Sequence, residues 1–110
     1  MATIIPKEEL LNGTLFQGGE HGDIPISFFW VHAKPGSGPA LHVHPYEEIF
    51  VVLEGHVTFT VGDEVLEVDQ GNIVIGPARV PHKFVNSGSE ILRMVNIHPG
   101  KEVIQQWLEE

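Results

Sequence analysis

The chain has 110 residues, of which seven are histidine and none is cysteine. Six Lys and Arg residues against 15 Asp and Glu residues give a formal net charge of −9. This length predicts one domain, residues 1–110, because it leaves no room for a second of ordinary size. The acidic charge argues against a nucleic-acid partner and against an anionic membrane surface. The lack of cysteine excludes a disulfide framework, a Cys-based zinc site and a thiol nucleophile.

The start of the sequence has neither the basic stretch nor the apolar stretch of a secretory signal. The longest uncharged apolar stretch is too short to span a bilayer. We therefore expect a cytoplasmic protein without a membrane partner.

Twelve glycines and eight prolines separate short apolar runs, which is typical of an all-β domain with many turns. In chain order, strands are predicted at residues 15–17, 26–32, 40–44, 48–53, 56–61, 64–68, 72–75, 83–85 and 91–97. Residues 102–109 predict a short helix, because their apolar side chains fall on one stripe at helical spacing. Short strands that recur along the chain with turns between them indicate a β-sandwich, jelly roll or small barrel. A small barrel can hold one small ligand.

His42 and His44 lie one residue apart in an extended segment, so both imidazoles point to one face of the strand. Glu48 opens the next strand and can bring a carboxylate beside them. Two imidazoles and a carboxylate suit Fe, Mn, Zn, Ni or Cu, whereas a pair of exposed or hydrogen-bonded histidines is the alternative. Glu47 ranks below Glu48 because it points to the opposite face. His82 is distant in sequence but also lies at a strand entrance.

Two spaced sets of residues carry a family resemblance. The first set is separated by five, one, three and six residues and comprises Gly36, His42, His44, Glu48 and Gly55. The second is separated by five, four and three residues and comprises Gly71, Pro77, His82 and Asn86. These core motifs, residues 36–55 and 71–86, resemble the two motifs of the cupin superfamily.

The resemblance implies a single-domain cupin jelly-roll β-barrel that binds one divalent transition metal ion: Fe, Mn, Ni, Zn or Cu. The metal ligands that it implies are His42, His44, Glu48 and His82. Open positions on such an ion suit activation of a substrate oxygen or binding of O₂ or water. Arg79 departs from the motif, which usually has glycine there, so the turn must avoid a positive φ or strain the arginine.

A shared fold hosts many chemistries, so the reaction stays open. The leading hypothesis is a small metal-dependent enzyme of dioxygenase, isomerase or lyase type, acting on a small organic molecule in the barrel. The alternatives are a non-catalytic binding or sensing protein and a protein with a structural metal. The resemblance also implies a homodimer, which the apolar residues Ile4, Ile5, Leu10 and Leu11 support because they have little to pack on.

Candidates for substrate contact come from strand parity. Phe50 and Phe84 each lie two residues from a ligand and so share its face. His32 is a candidate pocket base, and Arg79 is a candidate anchor for a substrate carboxylate or enolate. The expected pocket comprises Phe28, Trp30, Phe50, Phe84 and Lys83. For each of these, an ordinary core or surface role is the alternative.

The other histidines, His21, His56 and His98, are interpreted as scaffold or surface residues. Met94 and Asn96 share one face of the last long strand, and parity leaves open whether that face is inside. Trp107 is expected to cover the end of the barrel from the C-terminal helix.

Overall fold

In a computed structural model, which describes residues 1–109, the chain forms ten β-strands and two 3-10 turns. The turns are Lys7–Glu9 and Gly18–Glu20. The strands are β1 (Leu15–Gln17), β2 (Ser27–Ala33), β3 (His42–Val43), β4 (Glu48–Glu54), β5 (His56–Val61), β6 (Glu64–Asp69), β7 (Ile73–Gly76), β8 (His82–Asn86), β9 (Leu92–His98) and β10 (Gln106–Trp107).

Two five-stranded antiparallel sheets make up the fold. The first has the order β1-β2-β9-β4-β7, and the second has the order β10-β3-β8-β5-β6. They form the jelly roll that the resemblance implies, so the all-β prediction is confirmed. The core between them comprises Phe50, Val52, Val57, Phe59, Val61, Phe84, Leu92 and Met94.

The C-terminal helix predicted at residues 102–109 is wrong. The segment is extended, and its strand β10 pairs with β3, with Trp107 opposite His42. An eight-residue helix is unstable alone, because its nucleation cost is spread over few hydrogen bonds. The extended segment instead forms hydrogen bonds with distant parts of the fold, including Leu108 N–H to the Leu41 carbonyl at 2.9 Å.

The outer face of the first sheet is apolar across all five strands. Cross-strand pairing aligns one row of Phe16, Phe28, Ile97, Ile49 and Ile75, and a second row of Trp30, Val95, Val51 and Ile73. We call these nine side chains the apolar outer face. Its most exposed members are Ile73 (65%) and Ile75 (64%), which lie on the edge strand β7. A polar row with an ion pair of Arg93 and Glu54 at 3.3 Å borders it.

None of the helical segments within residues 1–109 has the length and hydropathy needed to cross a membrane.

Candidate metal centre

Four buried side chains converge between the two sheets, at the end where β3, β4 and β8 begin. One nitrogen or oxygen atom from each lies within 4.8 Å of those of the others, so the group can hold a metal ion: His42, His44, Glu48 and His82. His42 and His82 are direct cross-strand partners on β3 and β8. Glu48 is the first residue of β4 in the opposite sheet, so the cluster joins the two sheets.

Backbone carbonyls fix the orientation of all three imidazoles. The Nδ1 atoms of His42, His44 and His82 lie 2.8, 2.8 and 3.2 Å from the carbonyl oxygens of Ala40, Ile104 and Val80. A carbonyl only accepts hydrogen bonds, so each Nδ1 donates its proton outward. In the neutral ring, Nε2 then carries a lone pair and faces the cluster, which is the arrangement that metal-binding histidines need.

Several hydrogen-bond acceptors lie close together at the centre of the cluster. Glu48 Oε1 lies 3.0 Å from Nε2 of His44 and 3.0 Å from Nε2 of His82. Nε2 of His44 is buried and has no hydrogen-bond partner among residues 1–109. A carboxylate that faces imidazole lone pairs needs protons or a cation between them, because acceptors repel one another.

The pKa shifts describe the cluster with protons, rather than a cation, between these groups. Burial acts to raise the pKa of Glu48, but contacts with His44, His82 and His98 outweigh it and hold that pKa well below its usual range. Burial lowers the pKa of His42, and the nearby His82 and His44 lower it further. An ionised carboxylate beside a neutral imidazole is a donor set that fits a divalent transition metal.

A second chain of contacts reaches the other oxygen of Glu48. Tyr46 Oη accepts the Ile104 N–H at 3.0 Å and donates its own proton to His98 Nδ1 at 2.7 Å. Burial raises the pKa of Tyr46, so the hydroxyl keeps the proton that it donates. His98 is thereby fixed with its proton on Nε2, which lies 3.2 Å from Glu48 Oε2. The carboxylate is thus held on both sides.

A cavity of about 180 Å³ opens beside the cluster. Its wall is mostly apolar and is formed by Phe29, Val31, Pro39, His42, Glu48, Phe84, Asn96, His98, Gln105 and Trp107. The ring of Trp107 lies 5.1 Å from that of His42, so the C-terminal strand closes one side of the cavity.

Three residues expected at the site on β2 lie elsewhere. Phe28, Trp30 and His32 face outward, and Phe28 stacks on Phe16 with ring centroids 4.9 Å apart. Phe29 and Val31 point into the cavity instead. The prediction chose the wrong parity because both faces of this strand are apolar, so the sequence alternation does not mark the inner one.

The other expected pocket residues divide between the cavity and its surroundings. Phe84 lines the cavity. Phe50 lies in the core below it, with its ring 5.6 Å from the ring of His82. Lys83 lies outside it and pairs with Glu109 at 3.3 Å. Arg79 is exposed in a separate groove beside Val43, so neither cation reaches the cavity.

Arg79 adopts the strained backbone that its place in the motif implies. Its φ is +63°, in the left-handed region that costs a non-glycine residue about 1 kcal/mol. Its N–H donates to the carbonyl of His44 at 2.9 Å. The arginine therefore supports the turn beside a candidate ligand through its backbone.

Sequence reasoning missed Tyr46, Asn96 and the place of His98. His98 was interpreted as scaffold, yet it faces inward on β9 with Asn96 and Met94. The available signal was their shared parity: Met94, Asn96 and His98 alternate, and an apolar methionine favours the inner side for their common face.

Comparisons with known proteins agree with this architecture. A family model described as a cupin domain matches residues 29–98. The uncharacterized protein MJ1618 of Methanocaldococcus jannaschii is 38% identical over 88 residues, which cover 79% of this chain and 66% of that protein.

Solved structures show the same fold at low identity. An oxalate oxidase in complex with the substrate analogue glycolate has a TM-score of 0.69 at 20% identity, over 76% of this chain and 46% of that chain. The oxalate decarboxylase of Bacillus subtilis, in a structure concerned with its Mn(II) centres, has a TM-score of 0.77 at 20% identity. That match covers 86% of this chain and 27% of the decarboxylase, so this chain spans less than half of either solved chain.

The matched region includes all four candidate ligands and every strand that carries them. On that match, this chain belongs to the cupin family.

Proposed function

We propose that the protein is a metal-dependent cupin enzyme that acts on a small organic molecule bound in the cavity. His42, His44, Glu48 and His82 would hold one divalent transition metal ion. The observation that carries this proposal is the convergence of three fixed imidazole Nε2 atoms on Glu48, all buried and close to one another. The bound ion would supply Lewis-acid or redox chemistry.

Several metals remain candidates. Imidazole and carboxylate ligands without thiolate suit Fe, Mn, Ni, Zn and Cu. The Mn(II) centres of the similarly folded Bacillus subtilis oxalate decarboxylase support Mn(II) as the first to test. At 20% identity that likeness concerns the fold, so the choice of metal depends on measurement.

The cavity favours catalysis over a purely structural metal. It borders His42 and Glu48, so a small molecule inside it would lie against the ion. A non-catalytic sensing protein is the second candidate, supported by the mostly apolar wall, which would also hold a metabolite. Turnover of a bound molecule distinguishes the two. The cytoplasmic location stays a prediction.

Metal titration of matched histidine variants tests the ligand assignment. His42→Ala removes a proposed ligand, whereas His56→Ala removes a partly exposed histidine held by Asp69 and Glu67. Calorimetric titration with Mn(II) and Zn(II) should show binding weakened at least tenfold in His42→Ala and unchanged in His56→Ala. Equal effects of the two variants would contradict the assignment.

We also propose that two copies of the chain pack through the apolar outer face. The nine side chains of that face carry no charge, whereas the chain as a whole carries −9, so this face brings two copies together with the least repulsion. Sheets commonly pack face to face in this way. From strand spacing alone the nine side chains cover on the order of 300 Å² of sheet. Stable partners bury roughly 800 Å² each, so the residues around this face would also be covered in the dimer.

Two exposed apolar positions provide a matched test of this interface. Ile73 on the apolar outer face is 65% exposed, and Val65 on the other sheet is 66% exposed. In light scattering, the natural chain and Val65→Lys should have twice the mass of one chain, and Ile73→Lys should shift to the monomer. A monomeric natural chain, or an Ile73→Lys variant that stays dimeric, would contradict the proposal.

A further inference from the structure

The C-terminal segment, residues 101–109, is a strap that lies along one side of the cavity, where Gln105 and Trp107 form part of the wall. None of the strap residues is buried, and Ile104, Trp107 and Leu108 are 51%, 53% and 44% exposed. Its strand β10 is an edge strand of two residues. Release of the strap would therefore expose little apolar surface, and segments of this kind open locally at a low cost in free energy.

Hydrogen bonds at separate points hold the strap on the two sheets. The Val103 N–H donates to Gln17 Oε1 at 2.9 Å, on the last residue of β1. The Leu108 N–H donates to the Leu41 carbonyl at 2.9 Å, beside β3. The Leu41 N–H donates to the carboxylate of Glu109 at 3.0 Å. The strap thus depends on a few exposed or half-buried polar contacts rather than on apolar packing.

One further hydrogen bond joins the strap to the candidate metal centre. Nδ1 of His44 donates to the Ile104 carbonyl at 2.8 Å, across 60 residues of sequence. The corresponding acceptors of His42 and His82 are carbonyls only two residues away along the chain. Of the three imidazoles, His44 is therefore the one whose orientation depends on the strap.

Two acceptors compete for the single proton of neutral His44. Its Nε2 lies 3.0 Å from Oε1 of Glu48, and its Nδ1 faces the Ile104 carbonyl. When the proton is on Nε2, Nδ1 presents a lone pair to that carbonyl, and two acceptors repel each other. A cation bound at Nε2 keeps the proton on Nδ1 and makes it a stronger hydrogen-bond donor. Metal binding therefore favours the contact between His44 and the strap.

We propose that bound metal holds the strap closed over the cavity and that the strap opens more often in the metal-free protein. Coupling between two sites is reciprocal, so the docked strap also favours metal binding. This inference rests on the proposed function, because the metal is the ion of that site. Its consequence is that the cavity wall formed by Gln105 and Trp107 is fixed in place when the ion is bound.

Hydrogen exchange of single amides, followed by NMR with and without Zn(II), tests this coupling. The reporters are Val103 and Leu108, whose N–H groups hold the strap without binding a candidate ligand. The control is Gln70, whose N–H donates to the Gly55 carbonyl at 3.0 Å, just beyond the far end of β4. With Zn(II) bound, we expect exchange of the reporters to slow by about tenfold or more, and that of Gln70 to change by less than about twofold.

Two variants of Gln17 test whether the strap opens as one unit. Gln17→Leu removes the oxygen that accepts the Val103 N–H, whereas Gln17→Glu keeps an oxygen there. Without metal, Gln17→Leu should speed the exchange of Leu108, at the other end of the strap, by about fivefold, and Gln17→Glu should leave it unchanged. An effect confined to Val103 would contradict a strap that opens as a unit.

The amount of bound Zn(II) separates this inference from the proposed function. If one ion is bound per chain and the strap amides exchange as fast as they do without it, the inference is wrong and the proposed function stands. Equal slowing of Val103, Leu108 and Gln70 would show a general gain in stability and would also contradict the inference. A protein that binds no divalent transition metal overturns both.

Discussion

The two oxygens of Glu48 face different neighbours. Oε1 lies 3.0 Å from the imidazoles of His44 and His82, and Oε2 lies 3.2 Å from His98. His98 is held by the Tyr46 hydroxyl. The carboxylate is therefore oriented before a metal arrives, and residues that contact a ligand in this way commonly set metal affinity.

Tyr46→Phe tests this support. The change removes the hydroxyl that joins the Ile104 N–H to His98 Nδ1, which leaves two polar groups without a partner. We expect a loss of about 1–3 kcal/mol in the free energy of unfolding and a roughly tenfold loss in metal affinity, measured by denaturant unfolding and by metal competition. Thr58→Val, which removes a hydroxyl that binds Glu67 and Ser87 away from the cluster, is the control and should leave the metal affinity unchanged. Unchanged metal affinity in Tyr46→Phe would show that His98 needs no support from Tyr46.

Single residues differ in how far their sequence context reveals them. His42 and His44 lie two positions apart, so strand periodicity alone predicts that they share a face, and Glu48 follows closely enough in sequence for its carboxylate to be brought beside them. The addition of His82 depended on the family resemblance, because it is brought to the others by the pairing of β3 with β8. His98 and Asn96 lie near no motif residue in sequence, and their places depend on the pairing of β9 with β4.

The positions of the strands were predicted more reliably than which face of each strand points into the core. Residues 56–61 alternate apolar and polar, and Val57, Phe59 and Val61 are buried as that pattern indicates. Strand β2 is apolar on both faces, because its outer side belongs to the apolar outer face. With no alternation to read, parity could not separate Phe28 and Trp30 from Phe29 and Val31.

Residues 102–109 show how tertiary contacts override a local pattern. Their helical stripe is real in sequence, but the segment pairs with β3, and the Ile104 carbonyl accepts the proton of His44 Nδ1. A short segment takes the conformation that its partners supply, since its own propensity is weak.

Tryptophan fluorescence tests the position of β10. Trp107 lies 5.1 Å from His42, whereas Trp30 is on the outer face of β2. Bound Cu(II) should therefore quench most of the emission of Trp30→Phe, which keeps Trp107, and much less of that of Trp107→Phe. Equal quenching of the two variants would place Trp107 away from the metal.

An exposed group of three residues across β5 and β6, His56, Glu67 and Asp69, predicts a pH dependence of stability. Hydrogen bonds from His56 to Asp69 and Glu67 raise the pKa of His56 in the folded protein. Stability from these contacts is therefore fully present below the unfolded pKa of the histidine and is lost as the pH rises through the folded pKa.

His56→Gln makes this dependence measurable. The difference in the free energy of unfolding between the natural chain and this variant should be largest near about pH 5.5 and should shrink by about pH 8. The ligand cluster is common to both proteins, so its own titration cancels. A difference that grows with pH would contradict the assigned direction.

At the scale of the whole molecule, the even spacing of glycine and proline predicted an all-β fold, and the two motifs indicated the cupin family. Neither the glycine and proline spacing nor the two motifs predicted the apolar outer face. It is assembled from five strands, none of which shows by itself that its outward side chains continue across the sheet. The fold thus has two apolar surfaces, the core between the sheets and this outer face.

The central claim is that the four converging side chains hold one metal ion. Elemental analysis of the protein as purified, beside His44→Ala and His56→Ala purified in the same way, tests it most directly. We predict about one divalent transition metal ion per chain in the natural protein and in His56→Ala, and little in His44→Ala. A natural protein without stoichiometric metal, or equal metal in the two variants, would contradict the account.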